Sequence, residues 1–178
     1  ALSLGYLGKQ ASDTASEFDK AMRNVNSIAQ ESETVYQKLF STVRTLSDDP
    51  KIIEGPTGLA KGMYQLVSSG FSAADSLYHV AEASKSASAG LTSTETAVTA
   101  VSSLMNGYNQ KTLQDGIKFN DELFRIVDKG VITFEQLAQN LGSVIPVASA
   151  ANIQFKEVGA SFIELTRAGV SASEAETS

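Results

Sequence analysis

One punctuation recurs along this chain and limits its folding options more than any other feature: a glycine, then an apolar residue, then a hydroxyl residue with an acid or amide close behind. The copies are Gly70-Phe71-Ser72-Ala73-Ala74-Asp75, Gly90-Leu91-Thr92-Ser93-Thr94-Glu95, a looser Gly130-Val131-Ile132-Thr133-Phe134-Glu135-Gln136, and Gly169-Val170-Ser171-Ala172-Ser173-Glu174. Each part has a physical task. Glycine takes the left-handed conformation that stops a helix. Ser or Thr accepts the free N–H groups of the next helix, and the acid or Gln three residues later reaches back. The apolar residue before the cap serves as a staple. The glycines lie 20, 40 and 39 residues apart, room for one short helix or a pair.

The punctuation therefore predicts short helices over 57–69, 73–89, 93–107, 112–129, 134–141, 144–151 and 155–168. Within 112–129, Leu113, Ile117, Leu123, Phe124 and Val127 make an apolar face. Ala81, Ala83, Ala87, Ala89, Ala97 and Ala100 allow close helix approach. Strand-type alternation is confined to a few residues, so the fold class is all-α, built from packed helical hairpins. The period is too irregular for a named solenoid repeat.

The chain before residue 48 reads differently. From Asp13 to Leu46 there is neither Gly nor Pro. Apolar or small residues fall at Phe18, Met22, Val25, Ala29, Ser32, Tyr36, Leu39, Val43 and Leu46, alternating steps of four and three. That is a heptad stripe, and it predicts one long amphipathic helix over 13–47. Ile28 and Val35 widen the stripe. The helix packs on its own domain or self-associates as a coiled coil; Ala29 and Ser32 weaken the seam and favour the first, while self-association through the long helix stays an expected contact. Asp48-Asp49-Pro50 ends the helix and Gly55-Pro56-Thr57-Gly58 is a second break. The expected division is a flexible leader over 1–12, the long helix over 13–47, a loop over 48–58, and a helical core over 59–178 that continues beyond it. Both ends look cut, as in a piece of a longer chain.

Composition excludes several functions. Net charge is −6, with 14 Lys and Arg against 20 Asp and Glu, so a basic face for nucleic acid is not expected. Cysteine is absent, which removes disulfides, Cys-ligated zinc, iron–sulfur clusters and thiol catalysis. The stretch from Gln136 to Phe155 carries no charge, but Gln139, Asn140, Ser143, Pro146, Ser149, Asn152 and Gln154 make it too polar for lipid. Ser, at 23 residues, and Ala, at 22, fill the share that charged side chains leave.

Catalytic signals are weak. His79 is the sole histidine, beside Tyr78 in a predicted helix, and it has no second His or Cys to complete a metal site. The adjacent carboxylates Glu17/Asp19, Glu31/Glu33, Asp48/Asp49 and Asp121/Glu122 point to different helix faces and read as solvated charges. Gly55, Gly58 and Gly62 lack the Lys-Ser/Thr end of a phosphate loop and follow no strand. Tyr36, Tyr64, Tyr78 and Tyr108 sit at core-like helical spacing. No catalytic, cofactor or metal residue is assigned, and no enzymatic activity is expected.

From about residue 12 onward the chain resembles the core region of phage tail tape measure proteins, the minor tail protein family. The resemblance rests on Ser16-Glu-Phe-Asp-Lys-Ala-Met-Arg-Asn-Val25, Leu59-Ala-Lys-Gly-Met-Tyr-Gln-Leu66, Ser69-Gly-Phe-Ser-Ala73, Gly90-Leu-Thr-Ser-Thr-Glu-Thr-Ala97, Leu104-Met-Asn-Gly-Tyr108, Thr133-Phe-Glu-Gln-Leu-Ala138 and Leu165-Thr-Arg-Ala-Gly-Val-Ser-Ala-Ser-Glu-Ala175. Their order and spacing are more specific than any single segment. Glu176 departs from the small residue expected there. The resemblance implies a structural protein of the virion, made in the host cytoplasm and held in the tail tube lumen. It would set tail length, template tube assembly, and leave during genome ejection. It implies contacts with tail tube protein, tail assembly chaperones and baseplate or tail-tip proteins, and no catalytic residues. The alternative is a non-enzymatic helical interaction module of a bacterial signalling or secretion protein, which the heptad stripe supports and the capped short helices do not.

Overall fold

The computed structural model describes residues 4–175. Nine α-helices make up the regular structure among them: α1 (Leu4–Ala29), α2 (Glu33–Leu46), α3 (Pro56–Ser68), α4 (Ala73–Ala89), α5 (Thr94–Gly107), α6 (Leu113–Lys129), α7 (Phe134–Ala150), α8 (Phe155–Arg167) and α9 (Ala172–Ala175). No described helix is long and apolar enough to cross a membrane.

The caps carry out the work assigned to them. Ser72 accepts from the Asp75 amide, Ser93 from Thr96, Thr112 from Asp115 and Thr133 from Gln136. At Thr112 and Thr133 the third helical residue bonds back to the cap amide, closing the box. The helix stops are more varied than the glycine pattern implies. Gly70 and Gly169 do take positive φ, at 91° and 90°. At the second copy Gly90 has φ −87° and Leu91 turns left-handed instead, at 54°. Gly130 is extended. Asn109 and Asn152, outside the pattern, also turn left-handed. Behind five of these residues the same bond recurs, from the next amide to the carbonyl five residues back: Phe71 to Leu66, Thr92 to Ala87, Gln110 to Met105, Ile153 to Ala148 and Val170 to Leu165. That bond satisfies a carbonyl the helix end leaves open.

The single long helix expected over 13–47 is two helices. The break needs neither Gly nor Pro. Gln30 turns left-handed at φ 53°, the Asn26 side chain accepts from the Glu31 amide at 2.9 Å, and Ser32 caps α2. Residues 1–3 of the expected leader lie outside the described residues, as does Glu176; from Leu4 onward the expected leader is already α1. The helices expected over 134–141 and 144–151 are one, α7. Pro146 removes the donor for the Gly142 carbonyl, but both residues are exposed, so that carbonyl is open to solvent.

The helices stack in two rows. The odd row runs α1, α3, α5, α7, α9, and the even row runs α2, α4, α6, α8, each member packed on the next in its row and, from α2 onward, on its neighbours in sequence. From α3 onward the odd helices start at residues 56, 94, 134 and 172, a step of 38 to 40 residues. The irregular spacing thus conceals a repeating hairpin array. Bonds between hairpins repeat as well. Asn106 at the end of α5 donates to the Ser69 carbonyl at 3.2 Å, and Ser149 at the end of α7 donates to the Gly107 carbonyl at 2.7 Å.

The core lies between the rows. Leu59, Met63, Leu66, Leu104, Met105, Leu123, Leu137 and Phe134 are sealed from solvent. Of the alanines expected to permit close approach, Ala83, Ala87, Ala97 and Ala100 are buried, Ala81 is half-buried and Ala89 is exposed. The heptad stripe faces the same core. Phe18, Met22, Val25, Tyr36, Leu39 and Val43 are buried, α1 against α3 and α2 against α3 and α4. Phe18 and Phe40 close the α1–α2 hairpin with ring centroids 4.5 Å apart.

Candidate functional site

The sequence assigns no catalytic residue, and the chemically able side chains occupy structural places. His79 sits on α4, 4% exposed. Its ring meets Phe71 edge-on at 5.3 Å. It also lies over Gly116 of α6, so close that a Cβ built there would stand 2.6 Å from Nδ1. Burial holds His79 below the ordinary histidine range, with Asp75 pulling more weakly the other way. It is a packed core histidine.

The carboxylate pairs are drawn apart by local partners. Asp19 pairs with Arg23 at 2.8 Å, Glu33 accepts from Gln37 at 2.7 Å, Asp49 accepts from the Lys51 amide at 2.9 Å, and Glu122 forms an ion pair with Arg125. The Asp115 carboxyl falls below its usual range because Thr112 donates to it as part of the cap. Among the described residues no group of three or more His, Asp or Glu could hold a metal ion.

Two carboxylates tie α3 and the loop before it to α5, and the sequence gives no sign of either. Glu54, in the loop before α3, accepts from the Thr94 amide at the start of α5 at 3.0 Å. Glu95 accepts from Gln65 of α3 at 2.8 Å. Both ties join the loop or helix of one hairpin to the next. Buried polar side chains act similarly. Asn120 of α6 donates to the Glu82 carbonyl at 3.3 Å, and Thr166 of α8 accepts from the Val131 amide at 3.1 Å. Only contact distance would have found these, since the partners lie 30 to 40 residues apart.

The surface offers open grooves of mixed polarity. One of about 490 Å³ runs between α1, α3 and α5, past Glu17, Lys20, Asn24, Lys61, Tyr64 and Glu95. A second, of about 710 Å³, lies between α6 and α8 on a floor of Tyr108, Phe119 and Phe155, with Lys118, Arg125 and Lys156 facing Asp121 and Glu122. Burial pushes the Tyr108 hydroxyl above its usual range, as does the nearby Glu157. A third, of about 400 Å³, runs along α7 and α8 past Val144, Val147, Ile153 and Phe162. The first two set basic beside acidic side chains. Their balanced charge over apolar floors suits contact with protein surfaces.

The model of the family described as phage-related minor tail protein matches residues 41–178. A probable tape measure protein of Clostridium phage phiCD119 is 29% identical over 158 residues, covering 85% of this chain. The chain spans 16% of that relative's length. No solved structure matches. Match and fold cover much of the same ground, since the family region takes in the end of α2 and every later described helix, and the chain belongs to the phage-related minor tail protein family.

Proposed function

We propose that this chain is a compact helical module of a tape measure protein, a structural component of a phage or prophage tail. The observation that carries the reading is the likeness to a probable tape measure protein over 85% of the chain. In this role the parent protein sets tail length, templates polymerisation of the tail tube and leaves when the genome is ejected. It is made in the host cytoplasm and comes to rest in the tube lumen. Its partners are tail tube protein, tail assembly chaperones and baseplate or tail-tip proteins.

The physics assigns this module a limited share of the length. Drawn out as one helix, 178 residues would reach ~270 Å at ~1.5 Å per residue. Folded into hairpins they reach far less, so the ruler itself is a longer helical part of the parent. The net charge of −6 suits a lumen component that lets DNA pass without holding it. Self-association through α1 and α2 would use Ile28 and Val35, the stripe-flanking residues left 41% exposed.

The test is disruption of the parent gene, with electron microscopy of the resulting particles. The reading expects tails to be missing or irregular in length. Uniform tails of normal length would overturn it.

A further inference from the structure

The two ends of the hairpin array differ. At the first end the α1–α2 groove is polar, lined by Asp19, Arg23, Asn26, Ser27, Glu33 and Gln37 around Tyr36, and tied by the Asp19–Arg23 and Glu33–Gln37 bonds. At the other end the groove along α7 and α8 is mostly apolar, with Ser143, Glu157 and Ser161 the polar residues lining it. Val147 is 71% exposed and Ile153 41%, with Val144 and Val158 half-covered beside them.

Comparison within the odd row shows which neighbour α7 lacks. In α5, which has α3 on one side and α7 on the other, eight of fourteen residues are buried. In α7 only five of seventeen are. The next member of the row after α7 is α9, a single described turn. That turn packs on both α7 and α8, and Ala172 and Ala175 rest against the core. It also starts as its predecessors do: Ser171 accepts from the Glu174 amide, and the Glu174 carboxylate accepts from the Ser171 amide at 3.1 Å. Ala175 lies at the edge of the open groove, with Val147 and Ile153 further along it.

We propose that this groove is covered by an α-helix that prolongs α9 in the parent polypeptide, completing that member of the odd row. The covering helix presents small and branched apolar residues toward Val144, Val147 and Phe162, as α7 does toward α5. The face is then an internal joint between repeats, and the array is longer than the hairpins seen here. This inference stands on packing and does not depend on the tail role.

The absence of cysteine permits a direct test. Val147→Cys reports on the groove, and Ile53→Cys, at a position 76% exposed in the loop before α3, is the control. Each is placed both in the 178-residue chain and in the purified parent protein, and alkylation by iodoacetamide is monitored by mass spectrometry. The expected result is rapid labelling of both sites in the short chain, with position 147 slowed about ten-fold or more in the parent while position 53 stays within about two-fold, because reaction at a covered site waits on local opening. Equal rates at position 147 in both proteins would overturn the proposal. So would a parent reading frame that stops at Ser178. Protection of position 147 in the short chain that grows with protein concentration would make a second copy the occupant, and would overturn it too.

Discussion

Glu54 and Thr94, forty residues apart, are joined by one hydrogen bond in which the Glu54 carboxylate takes the Thr94 amide at 3.0 Å. The carboxylate thereby meets the positive end of α5, where amides lack partners. To reach it, the side chain folds across Gly58, where a Cβ would lie 2.6 Å from Oε2. Glu54→Ala is expected to cost about 1 kcal/mol, the usual worth of a helix cap. Gly58→Ala is expected to destabilise the chain by displacing that carboxylate. The two losses will therefore not add: Gly58→Ala costs less in the Glu54→Ala background, which a double-mutant cycle by urea unfolding measures.

The contact between α4 and α6 depends on one missing side chain. Gly116→Ala places a methyl against the His79 ring and near the Met105 sulfur. Overpacking of this kind costs about 1–3 kcal/mol. Thermal unfolding should show the loss, and Gly142→Ala, where nothing lies within 4 Å, should show none.

His79 sets the response to mild acid. Its pKa is lowered in the folded chain by burial, so the unfolded chain binds the proton first. Stability is therefore full above the ordinary value of 6.5 and declines as pH falls through it, by at most about 1.4 kcal/mol per pH unit for one proton. Asp115 and Glu174, whose pKa values are lowered by their caps, lose their contribution only as pH falls through lower values still. Urea unfolding between about pH 6.5 and 5 thus isolates the histidine, since free carboxylates titrate near 4. In His79→Gln that slope should vanish, whatever the variant's absolute stability.

The break between α1 and α2 is held by side chains. Gln30, at φ 53°, occupies a conformation that suits glycine. Gln30→Gly should leave stability unchanged or raise it by a few tenths to about 1 kcal/mol. Asn26→Ala removes the acceptor of the Glu31 amide and should lower it by about 1 kcal/mol. The reverse pattern, with Gln30→Gly destabilising and Asn26→Ala neutral, would favour a continuous helix.

The range of the forces involved decides how much of this fold is legible in the sequence. Helices α3 to α6 and α8 are legible to within a residue or two, because Ser72, Ser93, Thr112 and the punctuation around them act within four residues. The break at Gln30 is hidden because Asn26 and Ser32 are ordinary helix-surface residues until the turn exists. The gap expected between 141 and 144 is absent, and α7 absorbs both Gly142 and Pro146 on a side open to solvent. The two-row order is set by long-range ties such as Asn106 to Ser69 and Ser149 to Gly107, which no local pattern announces. Composition gives no sign that the lone His79 is buried against Phe71 and Gly116, and Glu54 gives no hint of its partner.

The central claim is that this region is a folded hairpin array inside a tape measure protein, and not an extended part of the ruler. Tail length measured by electron microscopy, in phage whose parent gene carries an in-frame duplication of residues 94–133, tests it most directly. One added hairpin stacks at about the 8–10 Å spacing of packed helices, so tails should lengthen by no more than about 10 Å. Tails longer by about 60 Å, the span of forty residues as one helix, would contradict the account.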